Sequence, residues 1–252
     1  MLSSNKLNFL WLIVTVLVFA ALVKLGFWQS ARALEKEQRI TRMEQLKSQD
    51  PLSLNQINLL AKTENINDMP VEIEGFFDEL ALFLLDNQVS KGQLGYRVYQ
   101  VLKIEQHAVL VNLGWVQGSV NRQELPDIKA LSGKYNVIGN VRLIEVGIQL
   151  QEQVFTEIQW PLRIQQVEIG KFSTLIDRKL LPYVIYVDKN EDIGFEKNWQ
   201  PIVMLPEKHR AYAFQWFSLA IAWVILMLWA KFGARKTTEK NENSNSSMNK
   251  EA

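Results

Sequence analysis

The chain carries two long apolar blocks, one near its start and one near its end. Leu7 to Val23 runs for 17 residues without a charge. Lys24, whose long stem can snorkel, lets the block continue to Phe27. At helical rise this stretch spans about 32 Å, close to the hydrocarbon thickness of a bilayer. Ala211 to Ala230 is a second block of 20 uncharged residues, 18 of them apolar. Neither contains proline, and Trp11, Trp28, Trp216 and Trp229 lie near the ends, where amphipathic rings favour a water–lipid interface. The pattern predicts two membrane-spanning helices, residues 7–27 and 211–230. The first block exceeds the roughly 7–15 apolar residues of a cleaved signal peptide.

Between the blocks the period changes twice. Ser30 to Gln49 is rich in Ala, Leu, Glu, Lys, Gln and Arg and lacks Gly and Pro. This predicts a helical stem over 28–50, ended by Pro51. From Pro70 the pattern turns to period two. Val71-Glu72-Ile73-Glu74 alternates, Leu80 to Leu85 is a short apolar run, and Gly95 to Ile104 and Ala108 to Val116 are β-rich around a Glu105-Gln106-His107 link. Tyr135 to Ile144, Val184 to Val187 and Ile202 to Met204 are further strand candidates, and Gly170 to Leu180 is a helix candidate. Strands dominate. The expected fold is a membrane protein in which two transmembrane α-helices flank one mainly β (α+β) domain over 51–208, a small barrel or sandwich. Residues 231–252, mostly Lys, Glu, Asn and Ser, predict a disordered tail.

Composition and charge narrow the chemistry. The average of 48% apolar residues blends lipid-like blocks with an ordinary water-facing domain. There is no cysteine, which removes disulfides, thiol catalysis and thiolate metal ligands. The formal charge of +1 gives no general attraction to nucleic acid. Lys231, Arg235, Lys236 and Lys240 after the second block favour a cytoplasmic tail, while Arg32, Lys36, Arg39 and Arg42 after the first oppose it. Local charge therefore leaves the orientation open. No phosphate-binding loop, dinucleotide glycine pattern or nucleophile elbow occurs, and no enzyme class is supported.

Of the two histidines, His107 falls in a predicted turn, whereas His209 lies two residues before the second block. At 100° per residue, His209, Tyr212, Ala213, Trp216, Ala220, Trp223 and Met227 share one helical face. An imidazole above small and flat residues suits a planar macrocycle whose iron takes the imidazole as axial ligand, with Arg210 and Arg32 as partners for propionates. The same residue types equally suit a helix–helix seam.

The residues around the first block, Leu25-Gly26-Phe27-Trp28-Gln29-Ser30-Ala31-Arg32, resemble the Leu-Gly-x-Trp-Gln-x-x-Arg signature of the Surfeit locus protein 1 family. Gly75, Phe77 and Asp78, then Gly95-Tyr96, then Val109 to Val116 and Trp199-Gln200-Pro201 follow in the family's order. His209-Arg210-Ala211-Tyr212-Ala213-Phe214-Gln215-Trp216-Phe217 is similar to its His-x-x-Tyr-Ala-x-Gln-Trp-Phe block. Two positions depart: Leu113 stands where the family usually has arginine before Gly-Trp, and Val101-Leu102 replaces a Pro-Leu pair.

The resemblance implies an assembly factor for haem–copper cytochrome c oxidase. It would be anchored in a bacterial inner membrane with its main domain in the periplasm. It would bind haem a and aid its insertion into oxidase subunit I, with haem a synthase as a further partner. The matching histidine is His209. Tyr212 and Trp216 would line the ring, Trp28 and Gln29 the opposite wall, and Arg32 would meet a propionate, with the haem between the two spans. The alternative is a membrane-anchored scaffold that binds oxidase subunits without haem.

Overall fold

A computed structural model describes residues 4–248 except 106, 145–152, 154, 156 and 157, with backbone only at 4–8 and 233–248. It divides into two compact units, one formed by residues 1–41 with 202–252 and the other by 42–201.

The first unit contains two long helices, α1 (Ser4–Lys47, whose last turns belong to the second unit) and α4 (Pro206–Met248). Both are long and apolar enough to cross a membrane. Pro206 opens α4, where its missing N–H costs nothing, and Glu207 in the first turn meets the helix dipole favourably. The helices pair antiparallel. Trp223 Nε1 donates to the Thr15 carbonyl at 3.1 Å, and Arg210 meets Glu37 at 2.6 Å.

On α4 the buried or half-buried positions are Pro206, His209, Ala213, Trp216, Phe217, Ala220, Trp223 and Met227, spaced three and four residues apart except for Phe217 beside Trp216. This is the period of a helix–helix seam. Opposite them Ala33 is also buried, and a Cβ on Gly26 would stand 2.6 Å from the Phe217 ring. Small residues permit this close approach. The face predicted for a macrocycle is therefore occupied by the first helix, and Tyr212 lies off it, 43% exposed.

α4 also corrects the expectation for the tail. It continues to Met248 in a segment read as disordered. A helix already nucleated adds residues without paying the nucleation cost again.

The second unit is a closed barrel. β2 (Pro70–Ser90) pairs antiparallel with β5 (Gly133–Leu143) through its first half and with β3 (Gln93–Ile104) through its second. β3 pairs with β4 (His107–Gln117), β4 runs parallel to β7 (Leu180–Val187), and β7 pairs with β5. The ring β2–β3–β4–β7–β5 leaves no edge and has the strand order of a five-stranded Greek-key barrel. The short β1 (Leu52–Ser53) and β6 (Leu162–Ile164) both add to β2 in parallel.

The run Leu80 to Leu85 is thus not a separate strand but the second half of β2. A register break between Phe77 and Leu82 hides the continuity. The helix candidate Gly170 to Leu180 is the shorter α3 (Ile169–Leu175). Ile202 to Met204 is not a strand; Val203 is 94% exposed and joins no ladder.

β3, β4, β7 and the middle of the second half of β2 are buried on both faces, which is why they read as continuous apolar runs, whereas the first half of β2 and β5 alternate. Val71, Ile73, Val98, Val109, Val111 and Ile185 fill the barrel, together with Ile57 of α2 (Leu54–Leu60). Ser53 and Gln56 form a capping box on that helix. Phe83, Tyr99, Val101, Leu110 and Val184 form a second core outside, under Phe172 of α3 and β6.

Between Phe77 and Leu82 the strand bulges, and Lys103 holds Asp78 there at 2.8 Å. Burial pushes the Asp78 carboxyl up, but Lys103 and the Leu80 and Ala81 amides pull it down further, so its pKa lies below the ordinary value. A depressed carboxylate stabilises the fold above its unfolded pKa, and this is lost as pH falls through the folded value. Asp78→Asn is therefore expected to be less stable than the parent at neutral pH. In urea titrations the gap should close as pH drops below the normal aspartate range. A gap that stays constant with pH refutes the assignment.

Candidate functional site

His209 sits in the first turn of α4, 8% exposed. Its Nδ1 lies 2.7 Å from Gln29 Oε1 on α1. An amide oxygen only accepts, so Nδ1 carries a proton, and in the neutral ring the lone pair is on Nε2. Nε2 has no hydrogen-bond partner among the described residues. It is not sealed in either, because the one enclosed side-chain polar atom without a partner among them is Arg163 Nε. The site thus presents a fixed imidazole with one open nitrogen.

The other predicted residues are distributed differently. Gln29, read as a wall, is the hydrogen-bond partner of His209. Trp28 is 51% exposed, with the Arg32 guanidinium 5.9 Å from its ring centroid. Arg32 is held by Glu35 at 2.6 Å in a pair about half exposed on each side. Such surface pairs contribute little, so Arg32 can exchange partners at small cost. Trp216 is half-buried in the seam, and Tyr212 stands outside it. Among the described residues the structure therefore brings His209 and Gln29 together, pairs Trp28 with Arg32, and packs Gly26 of the first helix closely against Phe217 of the last. Among the described residues no three His, Asp or Glu side chains come together to hold a metal.

In the barrel, Leu113 is buried in the interior at a bulge on β4. Gly114 beside it has φ +118°, a region open to glycine, and a Cβ there would meet the Phe195 carbonyl carbon at 2.8 Å. The segment after β7 is thereby docked on β4, with the Phe195 N–H on the Leu113 carbonyl at 2.7 Å and the Trp115 N–H on that of Glu196 at 2.8 Å.

The sequence profile of the SURF1 family matches residues 16–221. The chain belongs to the SURF1 family. A SURF1-like protein of Rickettsia felis (strain ATCC VR-1525 / URRWXCal2) is 24% identical over 226 residues, 85% of this chain and 93% of that protein. SURF1 proteins are membrane-associated cytochrome oxidase assembly factors rather than a known enzyme family.

In this SURF1 chain the Trp-Gln pair and the His block, 180 residues apart, meet through the His209–Gln29 bond. The hairpin motif is the β3–β4 ladder. The arginine position of the SURF1 hairpin, Leu113 here, faces an apolar interior, where an aliphatic side chain needs no partner. Sequence reading missed the hydrogen-bonding role of Gln29. The i,i+3 spacing of Arg32 and Glu35 was the available sign that Arg32 has a local partner.

Proposed function

We propose that this chain is an inner-membrane assembly factor for cytochrome c oxidase that holds haem a through His209 and aids its transfer to oxidase subunit I, with its barrel domain in the periplasm. The observation that carries the reading is the fixed imidazole: Gln29 holds Nδ1, leaving Nε2 as the donor an iron would take. The exposed rings of Trp28 and Tyr212 offer apolar contact, and Arg32 and Arg210 offer charge for propionates. Haem, when bound, supplies an iron that needs one nitrogen ligand and a flat apolar surface to cover. Because Gly26 and Phe217 close the seam, a ring would lie beside the two helices rather than between them. The closed seam is also what favours the second reading, a scaffold for oxidase subunits that carries no haem.

The test is the absorption spectrum of the detergent-purified protein co-expressed with haem a synthesis. The parent should carry haem. His209→Ala should lose about nine-tenths of it or more, and Gln29→Leu should weaken retention about tenfold, the usual cost of removing a ligand's supporting hydrogen bond. Gln29→Glu keeps an acceptor and should restore most of it. Equal retention in His209→Ala removes the ligand assignment, and a colourless parent favours the scaffold.

A further inference from the structure

A second site lies on the outer side of the barrel, where β3, β4 and β7 meet the segment after β7. The bulge at Leu113 and Gly114 pulls residues 194–196 onto β4, and this sets the next three residues beside Asn112. The resulting cleft, about 20 Å³, is lined by Arg97, Asn112, Lys189, Lys197, Asn198 and Trp199 among others. None of its lining residues is acidic.

Asn112 is the informative residue. It is 4% exposed, and its Oδ1 accepts the Gly114 N–H at 2.9 Å. Its amide N–H groups have no partner among the described residues, yet they are not sealed in, so they open into the cleft they line. Among the described residues the cations around it have no carboxylate of their own. Arg97 lies over the Tyr186 ring at 5.8 Å, and neither it nor Lys189 forms an ion pair among the described residues. The Lys197 ammonium reaches only the Glu191 carbonyl, at 2.5 Å.

The nearby acids are engaged elsewhere. Asp68 holds Arg142 at 2.5 Å, Glu196 holds Ser90 and Lys91, and Asp188 accepts the Asn190 N–H. The Tyr186 hydroxyl is tied to that of Tyr99 at 3.1 Å. What faces the cleft is three positive charges and a buried amide donor.

We propose that this cleft binds a small dianionic oxyanion of the phosphate type, free or as the end group of a larger molecule. Four donor side chains answer the oxygens of a tetrahedral dianion, whereas a single carboxylate offers two oxygens and half the charge. The enclosed space takes one water-sized group and excludes a ring, so a dianion would seat one oxygen in the cleft and keep the others at its open mouth. The site is independent of His209.

The test is calorimetric titration of the full-length protein in detergent with inorganic phosphate near pH 7.5, in a chloride background of fixed ionic strength. Saturable binding of one phosphate per chain is expected. Lys189→Ala, at an exposed position, should weaken it several-fold. Asn112→Asp keeps an acceptor for Gly114 but turns a carboxylate on the ligand, and should weaken it more than tenfold.

Glycerol phosphate separates the sources. Tighter binding than inorganic phosphate marks a monoester end group, and weaker binding marks the free ion; both support the site. No saturable heat, an acetate titration equal to that of phosphate, or unchanged binding in both variants would overturn the proposal.

Discussion

Replacing Phe83 with alanine is expected to lower the unfolding free energy of the barrel by about 3–5 kcal/mol, the range for a large aromatic deleted from a closed core. Phe83 is fully buried. It stacks on Phe172 at a centroid distance of 4.3 Å and meets Trp160 edge-on at 5.1 Å. The ring therefore joins the outer face of β2 to α3. Alanine removes the transfer energy and both ring contacts, and it leaves a cavity bounded by strands that cannot close in, since the barrel ring fixes their spacing. Urea titration followed by tryptophan fluorescence measures the loss. A change under about 1 kcal/mol would show that the outer core relaxes around the missing ring.

Gln100→Leu should cost about 3 kcal/mol or more, although the two side chains have similar volume. Gln100 has no exposed surface, and its amide is used completely. Nε2 donates to the Asp78 carbonyl at 3.0 Å and to the Leu131 carbonyl at 2.7 Å, and Oε1 accepts the Leu131 N–H at 3.0 Å. Leucine leaves three backbone groups with no partner. Each lost partner in a buried place costs about 1–3 kcal/mol. The loss should concentrate at the β2 bulge and the 131 segment, so amide exchange at Leu131 is expected to accelerate before the rest of β3 does. Unchanged exchange there would show that water replaces the glutamine.

The residues made some of this architecture legible and hid the rest. The apolar blocks were visible because their signal is local: 17 to 20 uncharged residues in a row need no partner to be recognised. β3, β4 and β7 were visible for a similar reason, as runs of Val, Leu, Ile and Tyr. β2 was cut in two because residues 78–81 break its alternation at the bulge, and the Gln100 contact that supports the bulge comes from another strand. The 3.6-residue period found the buried face of α4, but periodicity shows that a face is covered and not by what. Gln29 and His209 are 180 residues apart, and the cleft draws together Arg97 of β3 and Trp199 near the end of the domain. Such pairings follow from topology, which no local pattern carries.

One consequence follows from β2 serving two neighbours at once. Its first half finds its partner in β5, so Val71 waits for Gly139. During synthesis the nascent chain therefore emits β2, β3 and β4 as an open three-stranded sheet whose leading border lacks β5 until Gly139, about seventy residues after Val71, has appeared. For that interval the border is a sticky seam, able to capture another chain as readily as its own. A truncation before Gly133 would make the interval permanent, and the expected product is aggregate rather than a smaller domain.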